Sequence, residues 1–318
     1  MLTDFPPDGS IEYIEGADET PDSYPDLEAK LERAIDVTAR GLRAYDAPAI
    51  LWTGGKDSTL TLYIVREVAE RDGHAVPPVI FIDHFQHFPE ILDFVERWAN
   101  EWDLDLRMAR NDDVGSLADE PGEKIAVEAL NEENRRQVKD ILEYEEETFR
   151  FLLDTYVGNH LLKTVPMNAV IESNGFDAIM SGVRWDEQAA RADETFFSPR
   201  HDADLYPPHD RIHPILPFTE RDVWDATWSH VVPDAVSGYP AGYVPSSAHD
   251  LPGSLEPSDL PVAPQYFDGF RSLGSEVSTE KSRDDPAWLQ DLEDTTERAG
   301  RAQDKEDLME RLRDLGYM

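Results

Sequence analysis

Residues 50–58 read Ile-Leu-Trp-Thr-Gly-Gly-Lys-Asp-Ser, and a stretch with Leu60, Ile64 and Val68 at helical spacing follows directly. The pattern predicts a buried strand, a tight glycine turn and an amphipathic helix. Paired glycines let a backbone approach an anion closely, and a helix N-terminus presents N–H groups and the positive end of the helix dipole. The alternative is an ordinary strand-to-helix turn with a capping Asp57, but the complete hexapeptide in this setting favours phosphate binding.

Each residue of this turn has a predicted part in the site. Gly54 and Gly55 shape the loop, Lys56 supplies a positive charge, and Thr53 and Ser58 supply hydroxyls. Asp57 is placed either to cap the helix or to help hold Mg²⁺. The turn differs from the eight-position Walker pattern, because the second glycine immediately precedes the lysine.

Strand and helix signals alternate along the chain around this turn. The predicted strands are residues 49–52, 78–82, 104–108 and 176–181, and the predicted helices begin near residue 27 and cover 57–71, 89–102 and about 161–173. Such alternation predicts an α/β fold with a doubly wound, mostly parallel sheet and helices on both faces. A further strand is expected at 211–215, and Thr219 with Asp222 forms a capping pattern for the next helix.

The chain divides into three parts on composition. Residues 1–25 are predicted to be an acidic tail or surface strap, residues 26–232 a nucleotide-binding domain, and residues 233–318 a loop-rich and helical C-terminal extension. Within the domain, residues 111–147 are charge-dense and predicted to be a surface excursion with helix near 138–142. Residues 286–313 are predicted to form two charged helices.

Charge is the strongest feature of the composition. The chain carries 67 acidic against 29 basic residues, a formal net charge of -38. Such a field repels nucleic acid and anionic membranes, so neither is an expected partner. Because 40% of the residues are hydrophobic, we expect a folded protein whose acidic surface suits a salt-rich cytoplasm, from a halophilic and archaeal source. The absence of a leader pattern and of any run of about 18 apolar residues also favours the cytoplasm.

The chain contains no cysteine. Disulfides, zinc–thiolate sites, iron–sulfur clusters and thiol catalysis are therefore excluded for this chain.

Polar residues follow the second predicted strand, where Asp83, His84 and His87 lie at the carboxyl edge of the sheet. Open α/β sheets bind ligands at this edge, so Asp83 is a nucleotide-binding candidate. For the two histidines, substrate contact and simple surface or helix-start polarity remain equal alternatives.

A second turn, after the strand at 176–181, contains Gly182, Arg184 and Arg191. Two arginines beside a glycine turn in so acidic a chain predict recognition of a sulfate or phosphate group. The alternative is that both pair with neighbouring acidic residues on a solvated face.

Residues 53–58 resemble the PP-loop, Ser-Gly-Gly-x-Asp-Ser, of the adenine-nucleotide α-hydrolase-like enzymes, with Thr53 in place of the first Ser. Two further stretches resemble sulfonucleotide (PAPS) reductases and the small subunit of ATP sulfurylase. Residues 83–90 resemble Asp-Thr-Gly-x-x-Phe-Pro-Glu without the Thr-Gly, and residues 182–192 resemble Gly-x-Arg-Arg-Asp-Glu-x-x-x-Arg-Ala with Trp185 in place of the second Arg.

Other stretches resemble the sulfate adenylyltransferase small subunit in particular. Residues 161–164 resemble Leu-Leu-Lys-Thr, residues 270–274 resemble Phe-Arg-Thr-Leu-Gly, and residues 295–301 with the Gly316-Tyr317 ending resemble its tail. The resemblance implies that Lys163 contacts nucleotide phosphate, with a helix-surface lysine as the alternative. For Arg298 and Arg301 there are three alternatives: contact with the nucleotide, contact with a partner, or a charge that only complements a helix end.

The resemblance implies a cytoplasmic nucleotidyltransferase that converts ATP and sulfate, with Mg²⁺, into adenylyl sulfate and pyrophosphate. The PP-loop then holds the β and γ phosphates, Lys56 neutralises the leaving group, and Arg184 and Arg191 hold sulfate or the α-phosphate. A GTPase large subunit is the implied partner. The alternatives are a reductase-family protein that reduces or binds a sulfonucleotide without its own cysteine, and a non-catalytic nucleotide-binding regulator.

Overall fold

The computed structural model describes residue 5, residues 9–202 and residues 206–293. Eight strands lie in these ranges: β1 Pro48–Leu51, β2 Val79–Asp83, β3 Leu106–Arg110, β4 Lys124–Ala126, β5 Thr148–Arg150, β6 Ala178–Met180, β7 Phe197–Arg200 and β8 His209–Ile212. The α-helices are α1 Leu27–Ala44, α2 Lys56–Asp72, α3 Pro89–Glu101, α4 Asp112–Gly115, α5 Glu132–Arg136, α6 Tyr156–Asn159, α7 Val165–Asn174, α8 Glu220–Ala226 and α9 Val232–Ala235. Short π-helical segments, Gln137–Ile141, His160–Thr164 and Thr227–Val231, continue α5, α6 and α8.

The main sheet has six strands in the order β3-β2-β1-β6-β8-β7. The pairs β1–β2, β2–β3, β1–β6 and β6–β8 are parallel, and only β7–β8 is antiparallel. The predicted doubly wound, mostly parallel sheet is therefore confirmed. The antiparallel edge strand β7 was not predicted, because Phe197–Arg200 contains a proline and only four residues.

Alternate side chains of the central strands face opposite layers. Ile50 and Phe81 belong to a core that includes residues of α1, α2 and α3, whereas Ala49, Ile80 and Ile82 pack with Met167 and Ile171 of α7. Helices thus cover both faces of the sheet, as the continuous apolar runs predict.

The strand order places the topological switch point of the sheet beside β1. The chain passes from β1 to β2 and β3 on one side and returns to β6 on the other. Ile50 lies opposite Val79 of β2 and opposite Met180 of β6, so the three strands end at the same edge. This is the topological switch point of the sheet, where open α/β folds bind ligands.

The charge-dense excursion carries structure that its sequence did not reveal. Helix is present at residues 132–141, which confirms that part of the prediction. The antiparallel β4–β5 hairpin was not predicted. Buried Ile125 and Phe149 on the hairpin pack with Leu161 in a separate small core, so three-residue strands suffice here because tertiary packing supports them.

The two ends of the described chain lie against the domain. Glu15 pairs with Arg33 and Arg40 of α1, and Ile11 is buried. In the extension, 3₁₀ turns such as Pro264–Tyr266 and Ala287–Leu289 replace regular structure. The helix predicted from residue 286 does not begin by residue 293, and the rest of that prediction lies outside the described residues. Among the described residues, no helix is both long and apolar enough to cross a membrane.

Candidate functional site

The predicted phosphate loop connects β1 to α2. Gly54 has a φ of 76°, in the region that favours glycine. A Cβ atom there would lie 3.3 Å from Val95 and 3.4 Å from Ile91 of α3, so the turn is also packed closely against that helix. Gly55 is the N-cap of α2 and supplies no side-chain cap. The helix therefore begins with backbone N–H groups facing the switch point.

The hydroxyls of the loop hold its shape. The Thr53 amide donates to Ser58 Oγ at 3.1 Å, and Ser58 Oγ donates to the Gly55 carbonyl at 3.0 Å. Thr53 Oγ1 lies 3.1 Å from Ser58 Oγ. Ser58 is buried whereas Thr53 is exposed, so Thr53 is the hydroxyl with access to a ligand in solution.

Arg184 is brought onto the loop by the turn after β6. Its guanidinium is buried, donates to the Asp57 carboxylate through Nη1, and donates through Nε to Asp186 at 2.9 Å. The other oxygen of Asp57 lies 3.1 Å from Lys56 Nζ. Three predicted site residues thus meet in one ion-pair network. Arg184 also pairs with its neighbour Asp186, but in a buried position and not on a solvated face as the alternative predicts.

Gly182 allows this approach. A Cβ atom at this position would lie 2.7 Å from the carbonyl carbon of Asp57 and 2.8 Å from the Ser58 nitrogen. Both neighbours are backbone atoms at the start of α2. The glycine is therefore required for close contact between two loops rather than for its own dihedral angles.

Arg191 lies on a 3₁₀ turn, Ala189–Arg191, and pairs with Glu187 four residues earlier. Its side chain is 15% exposed. The partner is one that the alternative names, but the pair is largely buried and does not lie on a solvated face.

Asp83, at the end of β2, organises a second polar group at the same edge. Its carboxylate accepts from the Phe85 amide at 2.9 Å and lies 3.5 Å from Arg110 and 3.7 Å from His87. The rings of His84 and His87 stack with centroids 3.6 Å apart. Both histidines are largely buried, so simple surface polarity is wrong for them, and substrate contact and helix-start polarity stay as predictions.

These two imidazoles are held neutral. Burial lowers the pKa of His84 well below its usual value, and the positive charge of Lys163 lowers it further; His87 would act in the same direction if it were protonated. Burial also lowers the pKa of His87 to about 4, with Asp83 opposing and Lys163 adding to the effect. Lys163 lies in the π-helical segment between α6 and α7. That segment packs against β2 and β3, and Asp83 is the last residue of β2.

The extension contributes residues to the loop that sequence reasoning missed. The Lys56 amide donates to Tyr266 Oη at 2.9 Å, and Lys56 Nζ donates to the Arg271 carbonyl at 3.3 Å. Arg271 pairs with Glu220 of α8 at 2.5 Å, and both side chains are buried. Arg271 lies in the Phe270–Gly274 stretch that the sequence singled out, but Tyr266 carries no such signal.

Three comparisons place the chain among known proteins. A family model described as the phosphoadenosine phosphosulfate reductase domain matches residues 47–244. The sulfate adenylyltransferase subunit 2 of Agrobacterium fabrum is 24% identical over 92% of this chain and 93% of its own, and a subunit 2 from Chromohalobacter salexigens is 23% identical over 94% and 98%. A solved structure of Candida glabrata FMN adenylyltransferase with FAD and inorganic pyrophosphate has a TM-score of 0.49 at 17% identity, over 86% of this chain and 72% of that one.

The matched region contains the glycine loop, Asp83, Lys163 and the Arg184 turn, whereas the resembling stretches at 270–274, 295–301 and 316–317 lie outside it. The model covers more than half of the chain. We conclude that this protein belongs to the phosphoadenosine phosphosulfate reductase domain family, with curated relatives named as the second subunit of sulfate adenylyltransferase.

Proposed function

We propose that the protein is the small subunit of a sulfate adenylyltransferase, which forms adenylyl sulfate and pyrophosphate from ATP and sulfate. The observation that carries the proposal is the contact of the glycine loop with the Arg184 turn at the switch point of the sheet. Relatives named as subunit 2 of this enzyme align over more than nine-tenths of the chain, which supports the same choice.

In the proposed reaction a sulfate oxygen attacks the α-phosphorus of ATP, and the bond from that phosphorus to the β-phosphate bridging oxygen breaks. The first-turn amides of α2 and the Thr53 hydroxyl bind the β and γ phosphates. Arg184 exchanges part of its contact with Asp57 for the anion in line with the leaving group, and Arg191 assists at the acceptor. No side chain acts as a nucleophile, which agrees with a chain that has no cysteine.

Lys56 has a more restricted part than its position in the motif indicates. Its ammonium is buried between Asp57 and the Arg271 carbonyl. We propose that it balances the charge of Asp57 and anchors the extension, and that it reaches the leaving pyrophosphate only if the extension moves. Asp83 and Lys163 are proposed to contact the nucleotide from the β2 side of the crevice.

Mg²⁺ would be held at this site mainly by the phosphates of the bound nucleotide and not by protein side chains alone. Magnesium is commonly held by one or two carboxylates together with substrate phosphates. Among the described residues no group of three His, Cys, Asp or Glu side chains is placed to hold a metal. Both Asp57 oxygens face cations, Lys56 and Arg184, so a metal at Asp57 would have to displace one of them.

The alternatives are less well supported. A reductase that attacks sulfur with its own thiol is excluded by the composition, although the family model carries that name. A non-catalytic role draws on the replacement of an arginine by Trp185. However, Trp185 is buried, donates to the Glu194 carbonyl at 2.8 Å and packs on Phe196. It therefore stabilises the turn by packing and hydrogen bonding.

The test is sulfate-dependent release of pyrophosphate from ATP and Mg²⁺ in concentrated KCl, with and without the cognate GTPase subunit. We expect adenylyl sulfate to form with the partner present. A protein that binds ATP but forms no adenylyl sulfate with its partner would refute the proposed reaction and favour the regulator. Sulfonucleotide reduction with an added thiol donor would favour the reductase-type alternative.

A further inference from the structure

One side chain of the extension occupies the N-terminus of α2. Tyr266 is 2% exposed, and its hydroxyl accepts a hydrogen bond from the Lys56 amide at 2.9 Å. A Cβ atom on Gly55 would lie 3.4 Å from the same hydroxyl. The Tyr266 ring packs edge to face on Trp224, with centroids 5.0 Å apart. The hydroxyl therefore lies directly over the glycine turn.

A phosphate group bound at the start of α2 would occupy the position of the Tyr266 hydroxyl. Anions bind the N–H groups of the first helical turn, and the Lys56 amide is one of these groups in α2. The cavity beside it, lined by Gly54, Lys56, Trp224 and Tyr266 among others, has a volume of about 10 Å³. A single water needs about 10–15 Å³. A phosphate group cannot enter at the Lys56 amide while Tyr266 remains there.

The segment that carries Tyr266 is held by specific contacts. Its anchors are the Lys56 Nζ bond to the Arg271 carbonyl, the buried Arg271–Glu220 pair, and the packing of Phe270 on Phe88 with ring centroids 5.3 Å apart. One of these anchors is itself part of the loop. Displacing Tyr266 therefore weakens the attachment of the whole segment.

We propose that Tyr266 sets the affinity of the loop for a polyphosphate. Its hydroxyl caps α2 when no ligand is bound and leaves when phosphate binds, so the docked segment 264–273 and the pyrophosphate group exclude each other. The inference rests on the proposed phosphate site at residues 53–58, but it does not depend on sulfate as the acceptor. Coupling of this kind is reciprocal. If docking of the segment weakens pyrophosphate binding by a given factor, pyrophosphate weakens docking of the segment by the same factor.

The test compares binding of inorganic pyrophosphate to the wild-type full chain and to Tyr266→Phe by calorimetry in concentrated KCl, with and without Mg²⁺. The variant keeps the ring but removes the hydroxyl that competes for the Lys56 amide. One hydrogen bond of this type corresponds to roughly a two- to tenfold change in affinity. We expect tighter binding by about that factor.

Tyr239→Phe is the matched control. Tyr239 is also a buried tyrosine of the extension, and its hydroxyl donates to the Tyr243 carbonyl at 3.2 Å, away from the loop. Its affinity for pyrophosphate should equal that of the wild type. Hydrogen exchange of residues 264–273 in the wild type gives a second readout, which needs no variant: protection should fall when pyrophosphate is added.

Unchanged or weaker binding by Tyr266→Phe, or greater protection of the segment with pyrophosphate, would overturn the inference and make Tyr266 a ligand or a purely structural residue. Absence of pyrophosphate binding in both proteins would overturn the phosphate site as well. If exclusion is observed but no adenylyl sulfate forms with the GTPase present, the inference stands and the proposed reaction fails.

Discussion

Gly182 shows how a single atom decides the geometry of the site. The backbone of Asp57 and Ser58 lies within 2.8 Å of the position of its missing Cβ. Backbone at a helix start cannot yield as a flexible side chain does, so Gly182→Ala must separate the Arg184 turn from the loop. We expect affinity for ATP to fall at least about tenfold, since each 1.4 kcal/mol of lost interaction is a factor of ten.

Gly9→Ala is the control for this substitution, because a Cβ atom there meets no atom of the described residues within 4 Å. Nucleotide titrations of both variants measure the effect. Equal affinities in Gly182→Ala and the wild type would contradict the close contact between the two loops.

His160 couples stability to pH. Burial lowers its pKa to about 4, and its Nε2 lies 2.8 Å from Gln137 Oε1. His160 therefore binds a proton below about pH 6.5 in the unfolded chain, but only below about pH 4 in the folded protein. The stabilisation is complete above pH 6.5 and is lost as the pH falls through this window, at a cost on the order of 3 kcal/mol.

Urea unfolding at pH 7.5 and pH 4.5 measures this dependence. His160→Gln should show a smaller loss of unfolding free energy between the two pH values than the wild type. His230→Gln, at an exposed position, should keep the wild-type profile. An equally large loss in His160→Gln would show that other groups account for the acid sensitivity.

The C-terminal extension is the element that covers the glycine loop. Its described part, residues 233–293, has little regular structure, so its position depends on individual anchors such as the buried Arg271–Glu220 pair. Removing one partner of a buried pair leaves an uncompensated charge and typically costs about 3–5 kcal/mol.

Arg271→Met should release the extension from the loop. We expect faster proteolysis within residues 260–285 and a lower unfolding midpoint in urea, with the sheet retained by circular dichroism. Arg97→Met is the control, because Arg97 also reaches the extension, at Asp259, but through an exposed pair. Proteolysis of Arg271→Met at the rate of the control would show that the pair does not hold the extension.

At the scale of the whole molecule, a net charge of -38 opposes folding through self-repulsion. Salt shortens the range of this repulsion from about 10 Å at 0.1 M to about 3 Å at 1 M. We expect the unfolding free energy to rise steadily between 0.2 and about 2 M KCl. Urea midpoints across that range check it, with a near-neutral globular protein as the control, and a flat or falling midpoint would contradict a salt-adapted surface.

Much of the fold could be predicted because its signals are local. The apolar runs of β1 and β2, the glycine turn and the Thr219 capping box, which is present in the structure, each follow from a few adjacent residues. The β4–β5 hairpin and β7 could not be predicted, because strands of three or four residues depend on distant packing. Residues 294–318, which include the predicted tail motif, lie outside the described part.

By itself the sequence determined the α/β class, the strand–glycine turn–helix unit at residues 48–72 and the exclusion of thiol chemistry, since these depend on residue type and spacing. The tertiary structure decided which charges meet. Arg184 lies 127 residues from Asp57, and Tyr266 lies 210 residues from Lys56. Contacts at such separations arise only when the sheet brings its carboxyl edges together and the extension folds back over them, so no local pattern encodes them.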